Sequence, residues 1–187
     1  VSPRPIEVPA EGLTDGVVRL RLGSDADVER ITAFVQDPDV VRWTTIPPGQ
    51  DAELTRGWMQ RGMAGLATGT DVAFVIANAA TDEPIGTIGL HEINRATERA
   101  VAGYVLAHEA RGNGYARRAL RLLCAFAFDD LQLARVEVTI EAENRASRAT
   151  AEAVGFREEG FLRSYMRIAG ERRDMLMYGL LPGDLEA

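Results

Sequence analysis

The chain has 187 residues, 46% hydrophobic and 26% charged, which suits one soluble globular domain with a sizeable core. Its net charge of −7 argues against nonspecific nucleic-acid binding, its single cysteine (Cys124) excludes an internal disulfide framework, and its two histidines (His91 and His108) make a structural zinc site a poor fit. No stretch approaches the roughly 20 apolar residues of a membrane span, and the N-terminal segment lacks a signal-peptide pattern, so a cytoplasmic setting without membrane contact is expected.

Residues 1–16 are rich in Pro and Gly and are predicted to form a flexible arm. The alternation in VVRLRL (17–22) predicts a strand. Ser24 with Asp27 three residues on has the form of a capping box, and the helix it opens runs to about Gln36, where Asp37-Pro38 stops it. A short helical turn and a loop ending at Pro47-Pro48 come next, then a second helix over about 51–66. Strands are predicted over 71–78, 85–93 and 100–106, joined by turns at 81–84 and 94–99. A helix over about 114–128 follows, then a strand over 134–142 and a helix over 145–155 that ends at Gly155. Two final strands meet at a turn at Ala169-Gly170, and 182–187 form a tail. The order is mixed α/β, and no second domain boundary interrupts 17–181.

One stretch breaks local rules. EARGNGYARRAL (109–120) spends two glycines ahead of a helix, then loads the helix start with Arg117, Arg118 and, one turn on, Arg121. A helix N-terminus is already partly positive, so cations there need a compensating anion. A glycine turn into a helix start is an anion site, because its backbone N–H groups point outward. The P-loop is excluded, since all 21 basic residues are Arg and there is no Lys. The dinucleotide fingerprint fails where Arg117 replaces its third glycine. Leu120, Leu123, Cys124 and Ala127 form an apolar stripe opposite Arg117 and Arg121, so these arginines either meet a phosphate or lie on a solvated face.

AGYVLAHEARGNGYARRAL, followed some thirty residues on by EAENRASRATAEAVGFREEG, resembles the GCN5-related N-acetyltransferase (GNAT) superfamily, in particular its ribosomal-protein N-terminal acetyltransferases. The resemblance runs from VVRLRLGSDADVERI to ERRDMLMYGLL and includes the loop motif at Arg111, Gly114 and Ala116. It implies an α/β sheet of about seven mostly antiparallel strands, splayed at the centre and flanked by about four helices. It also implies acetyl-CoA. The pyrophosphate would sit on the amides of Arg111, Gly112, Asn113, Gly114, Tyr115 and Ala116, with Arg117 nearby. The pantetheine arm would pair with Val105 and Leu106, one of whose amides would face the acyl oxygen, and Asn144 would help to hold the arm. Asn144 equally suits an Asx turn, and Ser147, the family's candidate acid, equally suits a helix start.

The family often carries a Glu two residues before the Gly-Tyr of the central strand, where this chain has Val101. Glu92 is the nearest substitute as general base and His91 the next; alternation puts them on opposite faces of their strand. Trp43 and Pro47-Pro48 are placed at the acceptor cleft. Residues 1–90 hold 7 Arg against 13 acids, so Asp37, Asp39, Asp51 and Glu53 are candidates to attract a cationic amine. The expected acceptor is a protein N-terminal α-amine, ahead of a small amine or antibiotic. The vacancy at Val101 keeps an inactive acyl-CoA sensor open, and the chain is expected to be a monomer or homodimer.

Overall fold

The strand and helix patterns meet in one sheet covered on both faces. The computed structural model describes residues 4–185. In chain order the elements are β1 (Leu13–Thr14), β2 (Val18–Arg21), α1 (Val28–Val35), α2 (Pro38–Trp43), α3 (Ala52–Thr68), β3 (Val72–Asn78), β4 (Pro84–Asn94) and β5 (Arg99–Leu106). Then come α4 (Tyr115–Asp129), β6 (Arg135–Ile140), α5 (Arg145–Glu152), β7 (Arg157–Ile168) and β8 (Glu171–Leu180). The eight strands lie in the order β1-β2-β3-β4-β5-β6-β8-β7, and every neighbouring pair is antiparallel except β5 with β6.

Strand parity decides which helix covers which face. Ala73 of β3 faces α3, where Gly62 lets the helix sit close: a Cβ there would lie 2.9 Å from the Ala73 Cβ. Phe74 points to the other face and meets Phe126 of α4 edge-on, with ring centroids 5.9 Å apart. The predicted stripe of α4 is buried: Leu120, Leu123, Cys124 and Ala127 have no exposed surface. Burying each leucine contributes roughly 1.5–3 kcal/mol. Burial in that apolar stripe also pushes the Cys124 thiol pKa far above its ordinary value.

The parallel contact is short. Register pairs run only from Arg99 with Arg135 to Val101 with Glu137. Beyond them β5 follows β4 as far as Leu106, while β6 follows β8 as far as Ile140, and the two strands part. Glu137 pins the closed end. One of its carboxylate oxygens takes Arg99 at 2.8 Å and the other takes Arg135 at 2.7 Å. Arg135 continues to Glu159 on β7. Gly179 makes room for that pair, since a Cβ there would stand 2.6 Å from both partners.

Two elements exceed the sequence expectation of seven strands and four helices: the two-residue β1 and the six-residue α2. Among the described residues, 4–16 and 182–185 are packed rather than loose; residues 1–3 and 186–187 of the expected arm and tail lie outside the described residues. Ile6 is buried, its amide donates to Leu66 O at 2.8 Å, and Leu13–Thr14 pairs with β2. At the other end Pro182–Asp184 forms a turn against Gly155, whose φ of +109° leaves no space for a Cβ beside Asp184 O. Apolar residues scattered among the prolines give these segments something to bury.

Replacing Glu137 with Gln is expected to cost about 1–2 kcal/mol, because both arginines lose a charged partner while their shape is kept. A thermal melt of Glu137→Gln reads this as a midpoint lowered by several degrees; an unchanged midpoint would show that the pin contributes nothing.

Candidate functional site

Where β5 and β6 part, a cleft of about 760 Å³ opens, lined from both strands, β4, α2, α3, α5 and the glycine turn. Backbone direction fixes what β5 offers it. Ala107 N–H donates to Ile85 O on the β4 side at 2.9 Å. Successive amides point to opposite edges, so those of Val105 and Gly103 also face β4, while those of Leu106 and Tyr104 face the gap. Of the two residues expected to offer an amide there, Leu106 does so and Val105 lends only its side chain to the lining.

The glycine turn is an open cradle. Gly112 and Gly114 have φ of +78° and +75°, and no atom lies within 4 Å of where their Cβ atoms would be. Such a φ strains an L side chain, so glycine is needed twice. The amides of Gly112, Asn113, Gly114, Tyr115, Ala116 and Arg117 donate to no backbone acceptor among the described residues, whereas the Arg111 amide is spent on His108 O at 3.2 Å. The Asn113 side chain braces the turn by donating to Arg111 O at 3.1 Å and Ala110 O at 3.3 Å. Six outward amides at the start of the fifteen-residue α4 suit a diphosphate.

The arginines divide. Arg118 is held by Asp15 at 2.8 Å, on the segment before β2, and is turned away from the cradle. The Arg111 side chain is committed to Asp37 at 3.0 Å and Asp39 at 2.9 Å. Among the described residues Arg117 and Arg121 pair with no carboxylate, which leaves them available to an anion on the cradle.

On the α5 side Asn144 caps the helix: its Oδ1 accepts the Ser147 amide at 3.1 Å, and the residue still lines the cleft. Ser147 is joined by a residue that sequence patterns did not single out. Its Oγ lies 2.8 Å from the Tyr104 hydroxyl, which also donates to Ser147 O at 3.2 Å. Burial raises the Tyr104 pKa, and its hydrogen bond to Ser147 only partly opposes this, so the phenol keeps its proton at neutral pH. The signal was the Tyr104 of AGYVL, on the same strand face as Ala102 and Leu106.

On the acceptor side β4 resolves the parity question. Thr87, Gly89 and His91 line the cleft. Glu92 does not: the register slips between His91 and Asn94, and Glu92 sits in that bulge at φ +52°, exposed and outside the lining. His91 is the imidazole beside the gap, with Nδ1 3.4 Å from Asp71 and its ring 3.9 Å from where a Gly103 Cβ would stand. Trp43, Trp58 and Arg61 complete this end. Of the acids expected to draw in a cation, Asp37 and Asp39 are held by Arg111 and Asp51 caps α3 through the Leu54 amide, while Glu53 is exposed on α3; of the four only Asp39 lines the cleft. Glu141, also in the lining and buried, is held by both arms of Arg42 at 2.8 and 3.2 Å. Among the described residues no group of acids, histidines and cysteines has a metal-binding arrangement.

Tyr104 is expected to ionise above the ordinary value near 10. A phenolate absorbance titration, with Tyr104→Phe as the difference, checks this; a Tyr104 signal at or below the ordinary value would contradict its burial. Because its folded pKa is raised, any stability linked to it is complete below the ordinary value near 10 and is lost above it, as pH rises through the higher folded pKa.

Comparison with known proteins agrees with this geometry. The uncharacterized N-acetyltransferase p20 of Bacillus licheniformis is 34% identical over 157 residues, covering 84% of this chain and 87% of p20. RimJ of Mycobacterium smegmatis, solved in complex with CoA-disulfide, is 27% identical with a TM-score of 0.84, over 100% of this chain and 93% of RimJ. A ribosomal-protein-S5-alanine acetyltransferase from Vibrio fischeri shares the fold at 24% identity and a TM-score of 0.78, over 91% of this chain and 96% of its own. The model of the acetyltransferase (GNAT) domain matches residues 18–157. That match carries from β2 to the start of β7, through the parted strands and the glycine turn, and the chain belongs to the GNAT family of acetyltransferases.

Proposed function

We propose that this acetyltransferase modifies the N-terminal α-amine of a protein or peptide, with acetyl-CoA as donor. The observation that carries the acceptor reading is electrostatic. Both carboxylates in the cleft lining, Asp39 and Glu141, are already neutralised by arginines. A polyamine needs several free carboxylates to replace its water; a single α-amine on an otherwise uncharged backbone does not. The acceptor end is also a groove, since its rim residues Thr45, Pro47, Arg61 and His91 are exposed. A second reading, a small amine with an aromatic body, is supported by Trp43 and Trp58, the chain's two tryptophans, which both line the cleft.

Acetyl-CoA supplies an acyl group activated as a thioester. The amides of Gly112–Arg117 hold its diphosphate, and Arg117 and Arg121 add charge beside it. The gap-facing edge of β5 at Tyr104 and Leu106 orients the donor arm as an added strand would, and the Leu106 amide donates to the acyl oxygen as negative charge develops there. Asn144 has its Nδ2 left to donate into the cleft once Oδ1 has capped α5. His91 Nε2 accepts the amine's proton while Asp71 steadies Nδ1. As the carbon–sulfur bond breaks, Ser147 passes its hydroxyl proton to the departing sulfur and takes one from Tyr104 through their hydrogen bond, and Tyr104 is reprotonated by solvent from the open cleft. A thiolate leaves unaided near neutral pH to some extent, so the Ser147 contribution is modest.

Turnover of acetyl-CoA with a panel of peptides with free N-termini, their N-blocked forms, spermidine and small aromatic amines tests the acceptor. Peptide acetylation at the α-amine is expected; turnover with spermidine alone would overturn the reading. Gly114→Glu puts bulk and charge in the cradle and is expected to lower acetyl-CoA affinity at least about 100-fold in calorimetric titration. Ser147→Ala is expected to lower kcat by about tenfold or more with donor affinity nearly unchanged. Equal losses of both would leave Ser147 a structural part of α5.

A further inference from the structure

α2 is too short to hold itself. It has six residues, isolated helices below about 12 residues are marginal, and Val40 is its single fully buried residue. Yet Asp39, Val40 and Trp43 wall the cleft. Side-chain ion pairs secure it at both ends. At its start Asp37 and Asp39 take the two arms of Arg111, and His108 Nδ1 lies 3.6 Å from Asp37. At its end Arg42 grips the buried Glu141 where β6 stops, with its guanidinium 4.0 Å from the centre of the Trp43 ring. The helix thus crosses from the glycine turn after β5 to the far lip of β6. Arg111 is also anchored from behind, since its Nε and Nη2 donate to Leu106 O at 3.4 Å.

We infer that Arg111 is a positioning residue for the acceptor wall rather than a phosphate ligand: it ties α2, and with it Trp43, to the strand end and turn that receive the donor. Three observations converge on this. Its guanidinium has two carboxylate partners and one carbonyl, so little of its donor capacity remains. Its amide is spent on His108 O, unlike the six amides that follow it. Trp43 sits on the strapped helix, so slackening the strap opens the acceptor side while leaving the cradle's own amides untouched. The inference rests on the reading of the glycine turn as the donor's diphosphate site.

The test separates the two. In a Trp58→Phe background Trp43 is the one remaining tryptophan. There, Arg111→Gln is expected to raise acrylamide quenching of Trp43 about twofold and to speed amide hydrogen exchange over 38–43 at least about tenfold. Free CoA, titrated calorimetrically, should keep its dissociation constant within about threefold. Arg111→Lys should restore most of the shielding. The double variant Asp37→Asn with Asp39→Asn attacks the same strap from its other side; Asn still caps α2, so loss of charge is the change being read. It should reproduce the Trp43 effect with unchanged CoA affinity. For the best peptide of the acceptor panel, KM should rise about tenfold with a smaller change in kcat. CoA affinity falling tenfold with Trp43 still shielded would put Arg111 on the diphosphate and overturn the inference, as would unchanged Trp43 in every variant. If Arg111→Gln loses both, the aspartate variant decides: retained CoA affinity supports the strap, and lost affinity refutes it. A wild-type protein that binds no CoA defeats the donor reading instead, and the quenching and exchange data still report on the strap.

Discussion

Three register pairs hold β5 to β6, and their ending sets the rest of the molecule. A sheet that stayed zipped would leave no cleft and no free backbone edge. A sheet without the closed end would lack the fixed angle between the strands. Glu137 supplies the closure by joining an arginine from each strand, and β4 and β8 then draw the strands apart by offering each a better neighbour. The gap-facing amides of Tyr104 and Leu106 need a partner, which is either water or a ligand that can accept them. On the function proposed above, an acyl donor with an amide-bearing arm would pair with that edge, and its phosphates with the adjacent cradle.

The charge pattern follows from the same division. Around the glycine turn the unpaired donors are mainly backbone amides, since Arg118 is paired with Asp15 and Arg111 with Asp37 and Asp39. On the acceptor side, the two carboxylates that line the cleft, Asp39 and Glu141, are neutralised in place by Arg111 and Arg42. Paired ions of this kind fix geometry more than they attract substrate, because each has already exchanged its water for a partner.

Much of this was legible along the chain because it is local. Alternation marked the strands that flank the gap, the Ser24–Asp27 pair marked the entrance to α1, and the two glycines marked the cradle. What was illegible depends on contacts between distant segments. Tyr104 and Ser147 are 43 residues apart, and Arg111 reaches back 72 and 74 residues to Asp39 and Asp37. No local pattern ties the acids near 37–39 to that arginine, so they looked free. α2 answers to the short helical turn expected there, whereas β1, two residues long, is too short to leave a pattern. Parity along β4 put His91 and Glu92 on opposite faces without saying which face meets the cleft; Thr87, Gly89 and His91 line it, and Glu92, at a bulge that leaves little trace in an alternating sequence, does not. Asn144 caps α5 through its Oδ1, one of its two readings, and lines the cleft, where the other is proposed.

The sealed thiol of Cys124 has a bearing on the chemistry next door. A protein that handles thioesters and releases a free thiol exposes its own sulfur to acyl exchange and to mixed disulfides. Both reactions need a thiolate that the reagent can reach. Here the one cysteine lies on the buried face of α4 with no exposed surface and a strongly raised pKa, so it neither traps the acyl group nor captures the oxidised carrier while the fold is intact. The chain's own sulfur then turns from a liability into a reporter: a thiol reagent finds it only in molecules whose core has opened.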